Sequence, residues 1–393
     1  MTDRAPQRLS PLTPLVRSFI VLVAAGMTVI RDVTRGEIGP TATIFALLLV
    51  SGAVYGTASW MRTKFWIEAD ELRVDTGVIS RQSRRIRIDR LQGIDIVQPF
   101  VARLFGLAEL RMDVAGGSSR EGSLAYLPLG EARRLKDLLL TRRDQISGAP
   151  APEEEGAPAV APEPRPERLL GRVDLGTLIF SILLSAEAVT LALVSGGLGA
   201  AFVASGQWLG VSAMLPVILG FAIALFRRFS VNYNFTVSDT PAGTQVRRGL
   251  FELSSQTIAL TRVQGVVVSE PLLWRRLGWA RLDVSIAGYG VVGDGEGPAP
   301  STVLPVGDRA LVHELARHML RGLDPATVEL RPVPRRARWL SPVGYRFLRV
   351  GTSEQLVVSR QGWFVRRTHV APQARIQSVR VTQGPLQRRL GLA

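Results

Sequence analysis

Three arrangements in this sequence carry residue types that could do chemistry. The first is His313-Glu-Leu-Ala-Arg-His318. A zinc-protease helix places two histidines at i and i+4, so that both imidazoles face one metal. Here the spacing is i and i+5, and the one further histidine, His369, lies far along the chain. No metal site is expected. The second is Gly288-Tyr-Gly290-Val-Val-Gly293, which matches a dinucleotide loop by letter. That loop works by opening a helix whose first amides meet a pyrophosphate. The following Asp294-Gly-Glu-Gly-Pro-Ala-Pro forbids a helix, so the stretch reads as a hairpin loop with no cofactor. The third is Glu187, which falls near the middle of the apolar stretch 175–198, close to Ser185 and Thr190. A carboxyl at the centre of a bilayer is expensive and demands a use. It serves either as a hydrogen-bonded contact between helices or as a group that moves protons or ions.

A second set of polar residues recurs. Arg90-Leu-Gln92-Gly-Ile-Asp-Ile-Val-Gln-Pro99 aligns without a gap with Arg262-Val-Gln264-Gly-Val-Val-Val-Ser-Glu-Pro271. A third copy begins Arg375-Ile-Gln377-Ser-Val-Arg-Val. Gly77, Gly249 and Gly362 each stand 13 residues before the arginine. Arg103, Arg275 and Arg388 each stand 13 after it, and Gly106, Gly278 and Gly391 follow three later. A register kept three times marks an internal repeat, and a repeat sets the architecture before any motif does. Positions reused in every copy serve the fold first: glutamine can hydrogen-bond a neighbouring strand, and arginine can brace one. A separate group of arginines is better suited to anionic lipid headgroups. It comprises Arg81, Arg84, Arg85 and Arg87, with Arg247, Arg248, Arg366 and Arg367 at comparable places in the later copies. Each such charge near an anionic surface contributes about 1 kcal/mol.

The elements that position these residues follow from apolar patterning. Residues 15–30, 41–60, 175–198 and 208–226 are apolar stretches, and each pair is joined by a short loop. The first is short for a span of about 20 residues, and Arg17 reaches the headgroups by snorkelling. It reads as an uncleaved anchor, since no small-residue cleavage site follows it. Arg168 and Arg172 precede the second pair, Arg227 and Arg228 follow it, and its connecting loop carries no charge. That asymmetry places the rest of the chain in the cytoplasm. Between the pairs, Ser147 to Glu167 is rich in Pro, Ala and Glu and reads as a semi-extended linker. Runs such as Glu71-Leu-Arg-Val-Asp and Gly93-Ile-Asp-Ile-Val read as strands. Glu131 to Leu140 and Asp308 to Leu320 read as amphipathic helices that close the first two copies.

Composition agrees with this division. The 393 residues are 46% hydrophobic and 21% charged, with a net charge of +15 and a mean hydropathy of +0.18. Almost all the positive charge is arginine, Lys64 and Lys136 being the only lysines, and no nucleic-acid partner is expected from it. With no cysteine in the chain, disulfides, thiolate catalysis and cysteine-held metals are excluded.

The order of apolar pair, then a domain with Arg-x-Gln-(Gly/Ser), a Pro or Gly seven residues after the glutamine, and Arg-x-x-Gly, resembles the bacterial pleckstrin-homology (PH) membrane proteins over residues 11–393. The resemblance implies an α+β membrane protein: two transmembrane helical hairpins, plus repeated PH-like antiparallel β-barrel domains each capped by a C-terminal helix. The expected division is hairpin 1 at 11–60, PH-like domain 1 at 61–146, linker 147–168, hairpin 2 at 169–228, PH-like domain 2 at 229–325, and an incomplete PH-like domain 3 at 340–393. The third copy departs from the pattern because no apolar hairpin precedes it. Its strands and helix after Ala393 are missing, and the expectation is that the sequence is a piece of a longer protein. The implied location is the bacterial inner membrane, multi-pass, with both termini and the PH-like domains cytoplasmic. Without a catalytic constellation, metal cluster or phosphate loop, the expected role is a non-enzymatic scaffold. It would bind anionic lipid, an unknown protein partner or a second copy of itself, in envelope maintenance or stress resistance. The alternative is a transporter or channel component using Glu187.

Overall fold

The computed structural model describes residues 7, 8, 10, 13, 27, 34, 40–68, 70–77, 82–114, 123–146, 168–206, 214–241, 243–286, 301–342, 344–379 and 381–391. The apolar stretch 15–30 apart from Met27, the linker 147–167, the glycine loop 288–293 and Arg81 lie outside them. The chain forms two compact units. One holds the residues up to Glu163 together with Glu252–Gln256, and the other holds the remainder.

In the first unit, strands β1 (Gln7–Arg8), β2 (Lys64–Glu68), β3 (Glu71–Thr76) and β4 (Gln82–Arg87) form one antiparallel sheet, with helix α1 (Pro40–Arg62) between β1 and β2. A second sheet contains β5 (Leu91–Pro99), β6 (Leu107–Val114) and β7 (Ser123–Pro128), with the short α2 (Phe100–Leu104) between β5 and β6 and α3 (Leu129–Ile146) after β7. Alternation decides which side chains enter the core, because successive strand residues face opposite ways. Phe65 and Ile67 point inward from β2, and Leu72 and Val74 from β3. They meet Ile94, Leu110 and Met112 of the other sheet, and Ala132, Leu135 and Leu139 from one face of α3.

The second copy repeats the plan with β8 (Arg168–Arg172), α4 (Leu175–Leu183), α5 (Ala186–Ala204), α6 (Leu215–Asn232), β9 (Thr236–Thr240), β10 (Gly243–Arg248) and β11 (Glu252–Ile258). Then follow β12 (Val263–Pro271), α7 (Leu272–Arg276), β13 (Trp279–Ile286), β14 (Ser301–Asp308) and α8 (Arg309–Met319). The third copy contributes β15 (Arg331–Pro332), β16 (Arg349–Thr352), β17 (Leu356–Gln361), β18 (Val365–Pro372) and α9 (Pro385–Leu390).

This arrangement differs from a row of closed barrels. Among the described residues no pairing joins the β4-type strand of a copy to its own β5-type strand. Instead, β12 of the second copy pairs antiparallel with β18 of the third, Val266 opposite Val370 through Pro271 opposite Val365. One seven-stranded sheet results, in the order β14-β13-β12-β18-β17-β16-β15. In the first unit β5 pairs in the same way with Glu252–Ser255 of β11, in the equivalent register, Pro99 opposite Glu252. An exposed strand edge is a template for pairing, and here the next copy occupies it.

The expected domain boundaries also move. The apolar segment is an insertion between the first and second strands of a copy, not a preface to it. Arg8 pairs with Lys64 across α1, and Arg172 with Thr236 across α4–α6. In the third copy Pro332 pairs with Arg349 across a short linking segment. The second copy therefore starts at β8 rather than at residue 229, and the third at β15 rather than at 340. The apolar stretch 175–198 is two helices. Leu178 and Ile182 of α4 are buried in the domain core, and the chain breaks at Leu184 before Ser185 caps α5. Among the described residues, two helices, α5 and α6, are long and apolar enough to cross a membrane.

Gly265 sits where the copies join. A Cβ there would lie 2.7 Å from the carbonyl oxygen of Val370, closer than atoms pack without displacement. Gly265→Ala is expected to destabilise the second unit by about 1–3 kcal/mol through overpacking. Chemical unfolding of the detergent-solubilised protein measures this, and the Gly130→Ala control, with open space at its Cβ, should change little.

Candidate functional site

The repeated motif is a piece of backbone architecture. Arg90, Arg262 and Arg375 each end a single turn of 3-10 helix. In the first two copies that turn leads into β5 or β12, and the ladder to the next strand slips between Leu91 and Gly93 and again between Val263 and Gly265. Gln92 and Gln264 are therefore the extra residues of two β-bulges. In the third copy Gln377 is exposed, and no strand follows Arg375 among the described residues. The two glycine sets have equally local reasons. Gly77, Gly249 and Gly362 take φ of 108°, 117° and 92° after the third strand, and Gly106, Gly278 and Gly391 take 66°, 74° and 64° after the short helix. Side chains other than glycine resist that region.

The third recurring residue divides by copy. Arg103 and Arg388 are exposed, whereas Arg275 is half-buried and donates from Nη2 to the carbonyl of Trp363 at 2.5 Å. Arg275 thus ties the second copy to the third. Beside it Glu270, nearly buried on β12, accepts from Arg309 Nε at 2.8 Å and lies 3.6 Å from Arg366 of β18. Burial, then the neighbouring Arg366 charge, pulls the guanidinium pKa values of Arg275 and Arg360 below the ordinary arginine range. The cluster is one carboxylate among several arginines, and it spans the junction between copies.

The arginines expected at lipid headgroups separate in the same way. Arg366 is drawn into this junction. Arg84, Arg85 and Arg87 are exposed on β4, where Arg87 bonds Asp89 at 2.7 Å. Arg247 is exposed and Arg248 half-buried at the end of β10. Arg367 lines an open cavity of about 420 Å³ with Ser185, Glu187, Arg228, Ser269, Trp274 and His369 among its walls. Arg281 and Asp283 also face it, bonded to each other at 2.9 Å and both to Thr302 Oγ1 at 2.8 Å.

Glu187 is not at mid-span. It occupies the first turn of α5, and its carboxylate meets Arg228 near the end of α6 at 2.7 Å. The placement follows from Ser185, whose hydroxyl accepts from the Ala188 amide and starts the helix there. A carboxylate at a helix N-terminus, paired with an arginine, needs no transport role, and the observation behind the transporter alternative is gone. His313 is exposed on α8, while His318 lies 3.5 Å from Asp239.

Burial first, then Arg367, lowers the pKa of His369 below that of an ordinary imidazole. Its ring is 3.4 Å from Gln361 of β17. An imidazole whose folded pKa lies below its unfolded one favours the fold while neutral. Stability is therefore expected to be complete above about pH 6.5 and to fall as pH drops through the lowered folded pKa. His369→Gln should flatten that slope in unfolding curves taken from pH 7.5 to 5.

A curated relative, the UPF0699 transmembrane protein YdbT of Bacillus subtilis (strain 168), is 26% identical over 311 residues, 71% of this chain and 60% of the relative. The chain thus spans 60% of that relative's length. No solved structure matches. The Bacterial PH domain family profile matches residues 18–143, 179–323 and 333–393, one stretch for each copy read from the repeat. With those three matches covering most of its length, the chain belongs to the bacterial PH domain family.

Proposed function

We propose that this membrane-associated PH-domain protein is a non-enzymatic scaffold of the bacterial inner membrane. Its PH-like domains face the cytoplasm and bind a protein partner, a second copy or anionic lipid. The observation that carries the reading is the strand junction between copies. Six residue pairs from Val266–Val370 to Pro271–Val365 join two copies through backbone hydrogen bonds, with Glu270 and Arg366 bridging the same strands. Copies joined through a ladder hold one relative orientation, which suits a platform better than independent modules on a flexible tether. The orientation rests on Arg168 and Arg172 before the apolar helices and Arg227 and Arg228 toward their end. Envelope maintenance or stress resistance is the process such a platform would serve.

The test is cross-linking in native membranes, followed by affinity purification with proteins and lipids identified together. The expected result is a specific protein partner or a discrete homo-oligomer. Recovery of a monomer carrying only bulk lipid would overturn the scaffold reading.

A further inference from the structure

The third copy lacks the apolar insertion, and what replaces it has a membrane-surface chemistry of its own. In the second copy the chain leaves β8 through the backbone bond from Val173 N–H to the Phe235 carbonyl. In the third it leaves β15 through the equivalent bond, Val333 N–H to the Leu348 carbonyl. Between these points the second copy inserts α4, α5 and α6, and the third inserts only the residues from Pro334 to Phe347. That segment carries Arg335, Arg336, Arg338 and Arg346, no acidic residue, and Trp339 and Tyr345. It folds as two 3-10 turns rather than a helix able to span.

The neighbouring turn changes to match. After Gly249 the second copy has Leu250-Phe251, and this turn rests on α6. Gly249 and Leu250 donate to the carbonyls of Tyr233 and Ser230, both at 2.8 Å, and the Phe251 ring lies 6.0 Å from Phe226. The third copy has Trp363-Phe364 at these positions and no such helix to rest on. Trp363 stacks on Phe347 at 6.5 Å, while Phe364 remains 62% exposed and Trp339 70% exposed. The guanidinium of Arg338 lies 5.8 Å from the Trp339 ring centre.

We infer that this end of the third copy docks on the surface of an anionic bilayer, with Trp339, Trp363 and Phe364 entering the headgroup layer and Arg335, Arg336, Arg338 and Arg346 binding lipid phosphate. Exposed tryptophan beside arginine is the composition of interfacial anchors. The place in the fold is the one from which membrane helices leave the second copy, so the same end of the domain already meets the bilayer there. The inference rests on the membrane reading above and adds a third attachment to it.

The chain has no cysteine, so a single one can carry a spin label. Phe364→Cys and, as a second reporter, Trp339→Cys are labelled in the full chain reconstituted into phosphatidylcholine vesicles with and without phosphatidylglycerol. Glu354→Cys, exposed in the turn at the other end of β17, is the aqueous control. With phosphatidylglycerol, labels at 364 and 339 should collide with oxygen more than with a polar nickel complex, and the label at 354 should show the reverse. Each of Arg335, Arg336 and Arg338 changed to glutamine should lower the ratio of docked to free label about fivefold. Labels at 364 and 339 open to the nickel complex would overturn the inference while leaving the scaffold reading intact. Labels shielded from both reagents would overturn it in favour of a protein covering the patch. If the chain fails to float with vesicles at all, the membrane reading itself fails.

Discussion

Trp274→Ala lowers the stability of the second unit by about 3–5 kcal/mol, the range for removing a large aromatic side chain from a core. Trp274 is 3% exposed on α7, and its indole N–H donates to the Ser181 carbonyl at 3.2 Å. Ser181 lies in α4, the apolar helix that turns back into the domain instead of crossing a membrane, with Leu178 and Ile182 buried beside it. The alanine variant therefore opens a cavity and leaves a buried carbonyl without its donor. Trp274→Phe keeps most of the ring and loses only the hydrogen bond, at about 1 kcal/mol. Thermal unfolding in detergent, followed by near-ultraviolet circular dichroism, should place the alanine variant about 10 °C below the parent. A shift no larger than that of the phenylalanine variant would mean that α4 is not held by this contact.

Glu270→Ala is the second large effect, about 2–3 kcal/mol. The loss combines two charge-assisted contacts, to Arg309 and Arg366, with the repulsion left among arginines that no longer share a carboxylate. Both arginines are partly solvated, which keeps the cost below that of a fully buried pair. A double-mutant cycle with Arg366→Met isolates the link between copies. Coupling of 0.5 kcal/mol or more between the two sites is expected for residues in contact. Additive effects would show that the ladder alone joins the strands.

The Glu270 pair was legible in principle. At the two junctions the facing residues are Gln98 opposite Leu253 and Glu270 opposite Arg366. Only the second carries opposite charges, and the charges change together. What the letters do not reveal is that these positions face each other, because pairing between copies looks the same in sequence as pairing within one. The glycine sets and the closing helices of the first two copies were legible, since each depends on a few adjacent residues; the bulges at Gln92 and Gln264 showed in the letters only as a repeated glutamine. The start of the third apolar stretch was not. Hydropathy measures avoidance of water and cannot separate Leu178, buried in protein, from Leu193, exposed on α5. The caps could: Asp174 accepts from the Thr177 amide and Ser185 from the Ala188 amide, so two helix starts stand where hydropathy sees one segment. β1 and β8 were missed for another reason. Gln7–Arg8 and Arg168–Arg172 are too short to show alternation.

The insertion of the apolar helices between two paired strands also sets an order of events during synthesis. A ribosome releases β8 first, then α4, α5 and α6, and only afterwards the strand that β8 needs, since Arg168 awaits Asp239. Domains made during translation wait for their last essential segment, and on the proposed placement the wait includes threading α5 and α6 through the bilayer. If they emerge on the wrong side, β8 and β9 cannot meet, and an unpaired edge remains for proteases to find. On the proposed membrane placement, correct topology becomes a condition for finishing the PH-like domain. The third copy carries no such condition, because Val333 and Leu348 can bond as soon as the short segment between them is made.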